Sequence, residues 1–341
     1  MKIAIFGAGA VGSFYGGELA AAGKNVTLIG RGAHLAAMAE NGLTIRLHDG
    51  TEHHSRPACT DDPTAIDVQD IVIFVVKAHQ LEEAARQAQP LLGPDTVIVA
   101  AQNGIPWWYT YREGGTLDGK ILTAIDPGGR IAKLLGPERA LGGMINGSCS
   151  IAEPGVVFHP PKSRQLTVGE PGGGNSNRCE MIAEAFSGTT TGIKIAEDMR
   201  EIVWQKLMSN IGGSMVCVLT RSPLGKLNRD PGCMAVVGEI LKDANNVSAQ
   251  LGYDFTESNF DRAAVKQNPS PHKPSTLQDL EAGKPMEINS IVGAVAEISR
   301  IIGQPTPVID ALYGVVRRLA EETGCYPENG AFQLASPVSP H

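Results

Sequence analysis

The strongest constraint on this chain lies in its first twelve residues. KIAIFGA (2–8) reads as a strand, it runs into the glycine triplet of Gly7-Ala8-Gly9-Ala10-Val11-Gly12, and an alanine-rich helical stretch follows from Ala10 to Ala22. A strand, a G-x-G-x-x-G turn and a helix in that order form the context of a dinucleotide-binding βα unit. In such a unit Gly7 permits the tight turn, Gly9 lets the backbone approach a pyrophosphate, and Gly12 lets helix and strand pack closely. The helix start offers unpaired N–H groups and partial positive charge to phosphates.

The pattern continues downstream. NVTLIGR (25–31) reads as a strand, HLAAMAEN as a short helix stopped by Gly42, and TIRLHDGTEHHSR as a hairpin around Asp49-Gly50. DIVIFVVKA (70–78) is apolar throughout, as a central parallel strand must be. QLEEAARQAQPLL is helical, and TVIVAAQNG (96–104) is a strand ending in a polar turn. This alternation predicts an α/β doubly wound parallel sheet. LGGMINGSCS, GVVFHPP, RQLTVGE and TGIKIAED add strands, with GEPGGGNSN a loop before the capped helix in GNSNRCEMIAEAFSG.

After Glu197 the periodicity turns helical. Asp198 to Thr220 is predicted as one long amphipathic helix, followed by helices in DPGCMAVVGEILKDANNVSAQLG, FTESNFDRAAVKQ, EINSIVGAVAEISRIIG and TPVIDALYGVVRRLAEETG. The expected organisation is a nucleotide-binding domain over 1–196 and an all-α second domain over 197–341, with FQLASPVSPH a loose tail.

Length and charge narrow the function. The 341 residues suffice for two domains with cores, and 42% hydrophobic with 19% charged residues is a globular composition. A formal net charge of -7 argues against a general nucleic-acid binder. No apolar run reaches the roughly 18 residues of a membrane span. The N-terminus lacks a signal-peptide pattern, so the expected location is the cytoplasm. Six cysteines with no C-x-x-C pair read as free or buried thiols, and the adjacent His53 and His54 would face opposite sides of a strand. No metal is expected.

The second strand distinguishes the nucleotide. An NAD site places an acid near its end to bond the ribose 2′-hydroxyl. No acid stands between Lys24 and Ala39; Arg31 stands there instead, and its planar fork suits a 2′-phosphate. Lys77, at the end of DIVIFVVK, could add charge or simply be a solvated strand-end lysine. The prediction is NADPH/NADP+.

Chemistry is concentrated in VWQKLMSNIGGS. Lys206, Asn210 and Ser214 fall at i, i+4 and i+8, on one helix face among Trp204, Leu207 and Ile211. A buried lysine has its pKa lowered toward neutrality and can act as a general acid. The pattern equally fits a surface lysine with its stem along an apolar face. Further on, Ser275 follows Pro274 at a helix start and Glu287 opens the next helix after Pro285. That carboxylate could pair with a lysine, or both residues could be ordinary caps.

GAGAVG, the Arg31 strand end, VVKAHQ, AAQNG, VWQKLMSN and KPSTLQDLEAGKPMEIN together resemble the ketopantoate reductase (2-dehydropantoate 2-reductase) family over nearly the whole chain. The last stretch is the most specific, matching Ser-x-x-Gln-Asp-x-x-x-Gly-x-x-x-Glu. The resemblance implies a Rossmann domain, a helical second domain, an interdomain active site and reduction of a 2-oxo acid by NADPH. It implies Lys206 as proton donor and Glu287 beside it and the nicotinamide. It assigns substrate contacts to Asn103, Asn210 and Ser275, with Ser214 on the same helix. The cofactor contacts it implies are Gly7, Ala8, Gly9, Ala10, Val11, Gly12, Arg31, Lys77, Asn103 and Glu287.

Two positions depart from the pattern. Ser214 stands where asparagine is frequent, and Leu224 lies near the place of another substrate asparagine. Trp107, Trp108, Tyr109 and Tyr111 could wall a larger pocket or pack against the second domain or a partner. The implied reaction is ketopantoate to pantoate, in pantothenate biosynthesis. The alternatives are a D-2-hydroxyacid dehydrogenase of the mandelate type and a non-catalytic NADPH-binding sensor. Apolar helices in the second domain allow a homodimer but equally serve its core.

Overall fold

The computed structural model describes residues 1–147, 149–161, 164–256, 271–327 and 332. Most of the helix expected in FTESNFDRAAVKQ, and all of the expected tail except Phe332, lie outside the described residues. The chain divides into two compact units, Met1–Gln102 with Arg130–Met199, and Asn103–Gly129 with Arg200–His341.

The first unit is built on twelve strands among the described residues: β1 Lys2–Phe6, β2 Asn25–Ile29, β3 Leu43–Leu47, β4 Glu52–Ser55, β5 Ala58–Thr60, β6 Ile71–Phe74, β7 Val97–Ala100, β8 Ala140–Asn146, β9 Ser150–Glu153, β10 Val156–His159, β11 Gln165–Gly169 and β12 Gly192–Ile195. Eight of them form one sheet in the order β12-β11-β8-β7-β6-β1-β2-β5. Its pairs are parallel except β8 with β11. Every residue of β6 is buried, as its unbroken apolar sequence requires of a strand covered on both faces. The direction of chain progress reverses between β1 and β6, and the carboxyl edge at such a switch point is where α/β sheets bind ligands.

A second sheet, β4-β3-β10-β9, was not legible locally. The Asp49-Gly50 hairpin forms as expected between β3 and β4. The GVVFHPP segment then adds β10 in parallel to β3, more than a hundred residues earlier in the chain.

Asn103–Gly129, placed with the first domain by sequence, belongs to the second unit, and its hydrogen bonds explain why. Ile105 N–H donates to the Ser290 carbonyl at 2.8 Å. The Glu297 carboxylate accepts from the Thr123 and Ala124 N–H groups, both at 2.8 Å. Arg200 donates to the Tyr109 and Tyr111 carbonyls at 2.8 and 2.7 Å. The segment is thus fastened along its length to helices far away in sequence.

The rest of the second unit is helical among the described residues, with helices Pro231–Gln250, Ser275–Glu281, Ala294–Ile302 and Pro307–Glu322. The predicted single helix over 198–220 is instead Met199–Ser209, a π-turn at Asn210–Ser214, and Met215–Thr220. Gly212-Gly213 weakens the regular ladder there. Ser209 adds to this, its hydroxyl donating to the Lys206 carbonyl at 2.8 Å. A second π-turn, Asn289–Gly293, follows Glu287 and packs against the first.

Candidate active site

In the first unit, β1 pairs in parallel with both β2 and β6. The turn after β1, Arg31 after β2 and Lys77 after β6 therefore emerge at the same carboxyl edge. Gly7 adopts φ +110°, and a Cβ there would lie 2.6 Å from the Val75 carbonyl oxygen. A Cβ on Gly12 would lie 2.1 Å from the Gly7 oxygen. Around Gly9 there is open space where a Cβ would stand. Gly9 caps the helix Ala10–Ala21, whose first turn carries no acid. The Gly7 and Ala8 N–H groups donate to the Ile29 carbonyl, both at 2.9 Å, which ties the turn to β2 and leaves the helix start behind Gly9 uncapped by any side chain, an arrangement that fits a pyrophosphate.

Arg31 caps the next helix from an extended conformation, is exposed, and makes no ion pair among the described residues. Lys77 is half-buried, with its backbone N–H bonded to the Gln80 side chain. Gln102, just past β7 at the same carboxyl edge, buries its amide with both Nε2 and Oε1 unpaired among the described residues. Sequence reasoning passed over it because a buried unpaired amide is visible only in three dimensions. A bound polar group would satisfy it.

The second unit holds the titratable cluster. Glu287 is 5% exposed, and its Oε2 accepts from Asn103 Nδ2 at 3.0 Å. Lys206 is half-buried. Burial pushes its ammonium down to about 8, against the charge of Glu287, which pulls it up. The structure thus brings Lys206, Glu287 and Asn103 together.

Asn210 opens the π-turn one helical turn after Lys206, and Ser214 closes it, buried. The regular spacing that placed all three on one face therefore ends at Asn210. Ser275 is exposed on the first turn of its helix, which packs against this π-turn. Leu224 lies beside Gly213 of the same turn, 3.1 Å from where a Cβ would stand.

The aromatic run after Asn103-Gly104 is buried, at 7% for Trp107 and 1% each for Trp108 and Tyr109. Tyr109 Oη accepts from Trp204 Nε1 at 2.7 Å, and the Arg200 guanidinium lies 5.5 Å from the Tyr109 ring centroid. Arg200 and Trp204 belong to the helix that carries Lys206, so this cluster braces that helix. Arg200 and Trp204 were not singled out from sequence as functional; their role depends on partners about ninety positions away.

Two family models match the chain: "Ketopantoate reductase PanE/ApbA" over residues 3–173 and "Ketopantoate reductase PanE/ApbA C terminal" over residues 198–320. A 2-dehydropantoate 2-reductase of Mesorhizobium japonicum is 38% identical over 327 residues, covering 96% of this chain and 100% of the relative. A crystal structure from Ralstonia solanacearum MolK2 superimposes with a TM-score of 0.88 at 38% identity, covering 95% of this chain and 99% of that one. The PanE/ApbA family ketopantoate reductase of Ralstonia eutropha JMP134 gives a TM-score of 0.77 at 26% identity, covering 95% and 99%. With both family models matched in order and relatives aligned along nearly its full length, this chain belongs to the ketopantoate reductase family.

Proposed function

We propose that this protein reduces 2-dehydropantoate to pantoate with NADPH, as a cytoplasmic enzyme of pantothenate biosynthesis. The observation that carries the reading is a lysine with its ammonium lowered to about 8 beside the Asn103–Glu287 pair, in a chain whose first unit presents a dinucleotide turn. When bound, NADPH supplies a hydride to the substrate's carbonyl carbon. Gly7, Ala8, Gly9, Ala10, Val11 and Gly12 would hold the pyrophosphate, with Arg31 and Lys77 on the 2′-phosphate. Lys206 gives its proton to the carbonyl oxygen as negative charge develops there, a role suited to an acid whose pKa lies near neutrality.

Glu287 supports the ammonium through its charge, and Asn103 holds that carboxylate. Asn210, Ser214 and Ser275 supply donors for the substrate's carboxylate and hydroxyl. The protein works alone or as a homodimer on this small molecule.

The test is NADPH oxidation across a panel of 2-dehydropantoate, phenylglyoxylate and branched 2-oxo acids. The highest kcat/KM should fall on 2-dehydropantoate. A maximum on phenylglyoxylate would make the protein a mandelate-type dehydrogenase, and tight NADPH binding with no turnover on any member would make it a sensor.

A further inference from the structure

We propose that the π-turn at Asn289–Gly293 is a latch: it frees the Ser290 carbonyl to hold the Asn103-Gly104-Ile105 turn, and so keeps the Asn103 amide on Glu287. The inference rests on Lys206 and Glu287 being the reacting pair.

In a regular helix the Ser290 carbonyl would accept from the N–H of Ala294, four residues on. Here the Ala294 N–H reaches back five residues to the Asn289 carbonyl. The Ser290 carbonyl is thereby released, and it accepts from Ile105 N–H at 2.8 Å. The Ser290 hydroxyl turns inward and donates to the Glu287 carbonyl at 3.3 Å. A π-turn is a disfavoured irregularity that recurs at functional sites. This one has an identifiable product, a backbone acceptor facing the loop that begins at Asn103.

Gly104 makes the contact possible. Its φ is +82°, and a Cβ there would lie 2.2 Å from the Ser290 oxygen, 2.4 Å from the Ser290 carbonyl carbon and 2.9 Å from the Ile291 nitrogen. All three are backbone atoms, so no rotamer change could relieve the clash. The turn seats against the helix only with glycine at 104, and Asn103, one residue earlier, is then placed on the carboxylate. Gly104 and Ser290 are therefore positioning residues, acting through Asn103 and Glu287.

The experiment compares Gly104→Ala with an enzyme in which Ile105 is replaced by its α-hydroxy acid, which deletes the N–H alone. The second variant keeps the question open to test if the added methyl prevents folding. Both should lose about ten- to a hundredfold in kcat. The alkaline limb of the rate profile should move to lower pH by about half a unit or more, because a displaced Glu287 no longer supports the ammonium. In the unmodified protein the Ile105 amide should exchange slowly with deuterium. Wild-type kcat and an unmoved limb in the ester enzyme, or rapid exchange at Ile105, would overturn the latch. If Lys206→Ala retained full turnover, the reacting pair itself would be wrong. An inactive Lys206→Ala beside a fully active ester enzyme would sink the latch alone.

Discussion

Asn103 and Glu287 stand 184 positions apart in sequence and meet at 3.0 Å, amide Nδ2 on carboxylate Oε2. The amide holds a carboxylate that is almost wholly buried and whose charge acts on Lys206. A helix begun by Glu287 and a loop begun by Asn103 thus share one electrostatic task.

Removing the amide should therefore be felt at the lysine. Asn103→Ala leaves a buried carboxylate short of a donor, which costs about 1–3 kcal/mol. Turnover should drop about ten- to a hundredfold. Steady-state kinetics with the substrate held saturating measures this; an unchanged kcat would remove Asn103 from the site.

Lys206 must be protonated to act as an acid, and its pKa is lowered to about 8. The reductive kcat/KM should be flat at neutral pH and fall as pH rises through about 8. Lys206→Arg, which stays charged throughout, should abolish that limb along with most of the activity. A limb that persists unmoved in the variant would assign it to another group.

Stability should move the opposite way. Folding lowers the pKa of Lys206, so the folded chain binds that proton less tightly than the unfolded chain. The resulting cost is fully present below about pH 8 and fades as pH rises toward the unfolded lysine value. Lys206→Met should stabilise the protein at pH 7 by about 1–3 kcal/mol, with the gain shrinking above pH 8. Urea denaturation at both pH values checks the sign.

Arg31 is exposed and makes no ion pair among the described residues, so its guanidinium is available to an anionic ligand. Arg31→Ala should weaken NADPH about ten- to a hundredfold and leave NADH nearly unchanged. Coenzyme titrations of both proteins, repeated at high salt, would reveal the difference; equal loss for the two coenzymes would refute the 2′-phosphate role.

The aromatic brace predicts a stability effect. Tyr109→Phe removes the acceptor for the buried Trp204 N–H and should destabilise the second unit by about 1–3 kcal/mol. Loss of Tm measured by calorimetry tests it, and a neutral result would show that the indole finds another partner.

Much of this was legible in the sequence because its causes are local. The strand, glycine turn and helix at residues 2–22 are written in adjacent residues, and so are the Asp49-Gly50 hairpin and the apolar β6. Arg31 was readable because the second strand ends there. The long helix over 198–220 was legible in extent but not in form. Its periodicity is helical, but Gly212-Gly213 allowed a π-turn that no spacing rule announces.

By itself, then, the sequence determined the βα order, the nucleotide turn, the cation after the second strand and the helical character of the second half, since each is decided by propensities and periodicities over a few residues. The tertiary structure alone decided that β10 joins β3, that Asn103–Gly129 packs with the helices, and that Asn103 meets Glu287. Those outcomes depend on which buried polar groups find partners across a hundred or more residues. A free carbonyl at Ser290 and a glycine at 104 have no meaning until the fold sets one against the other.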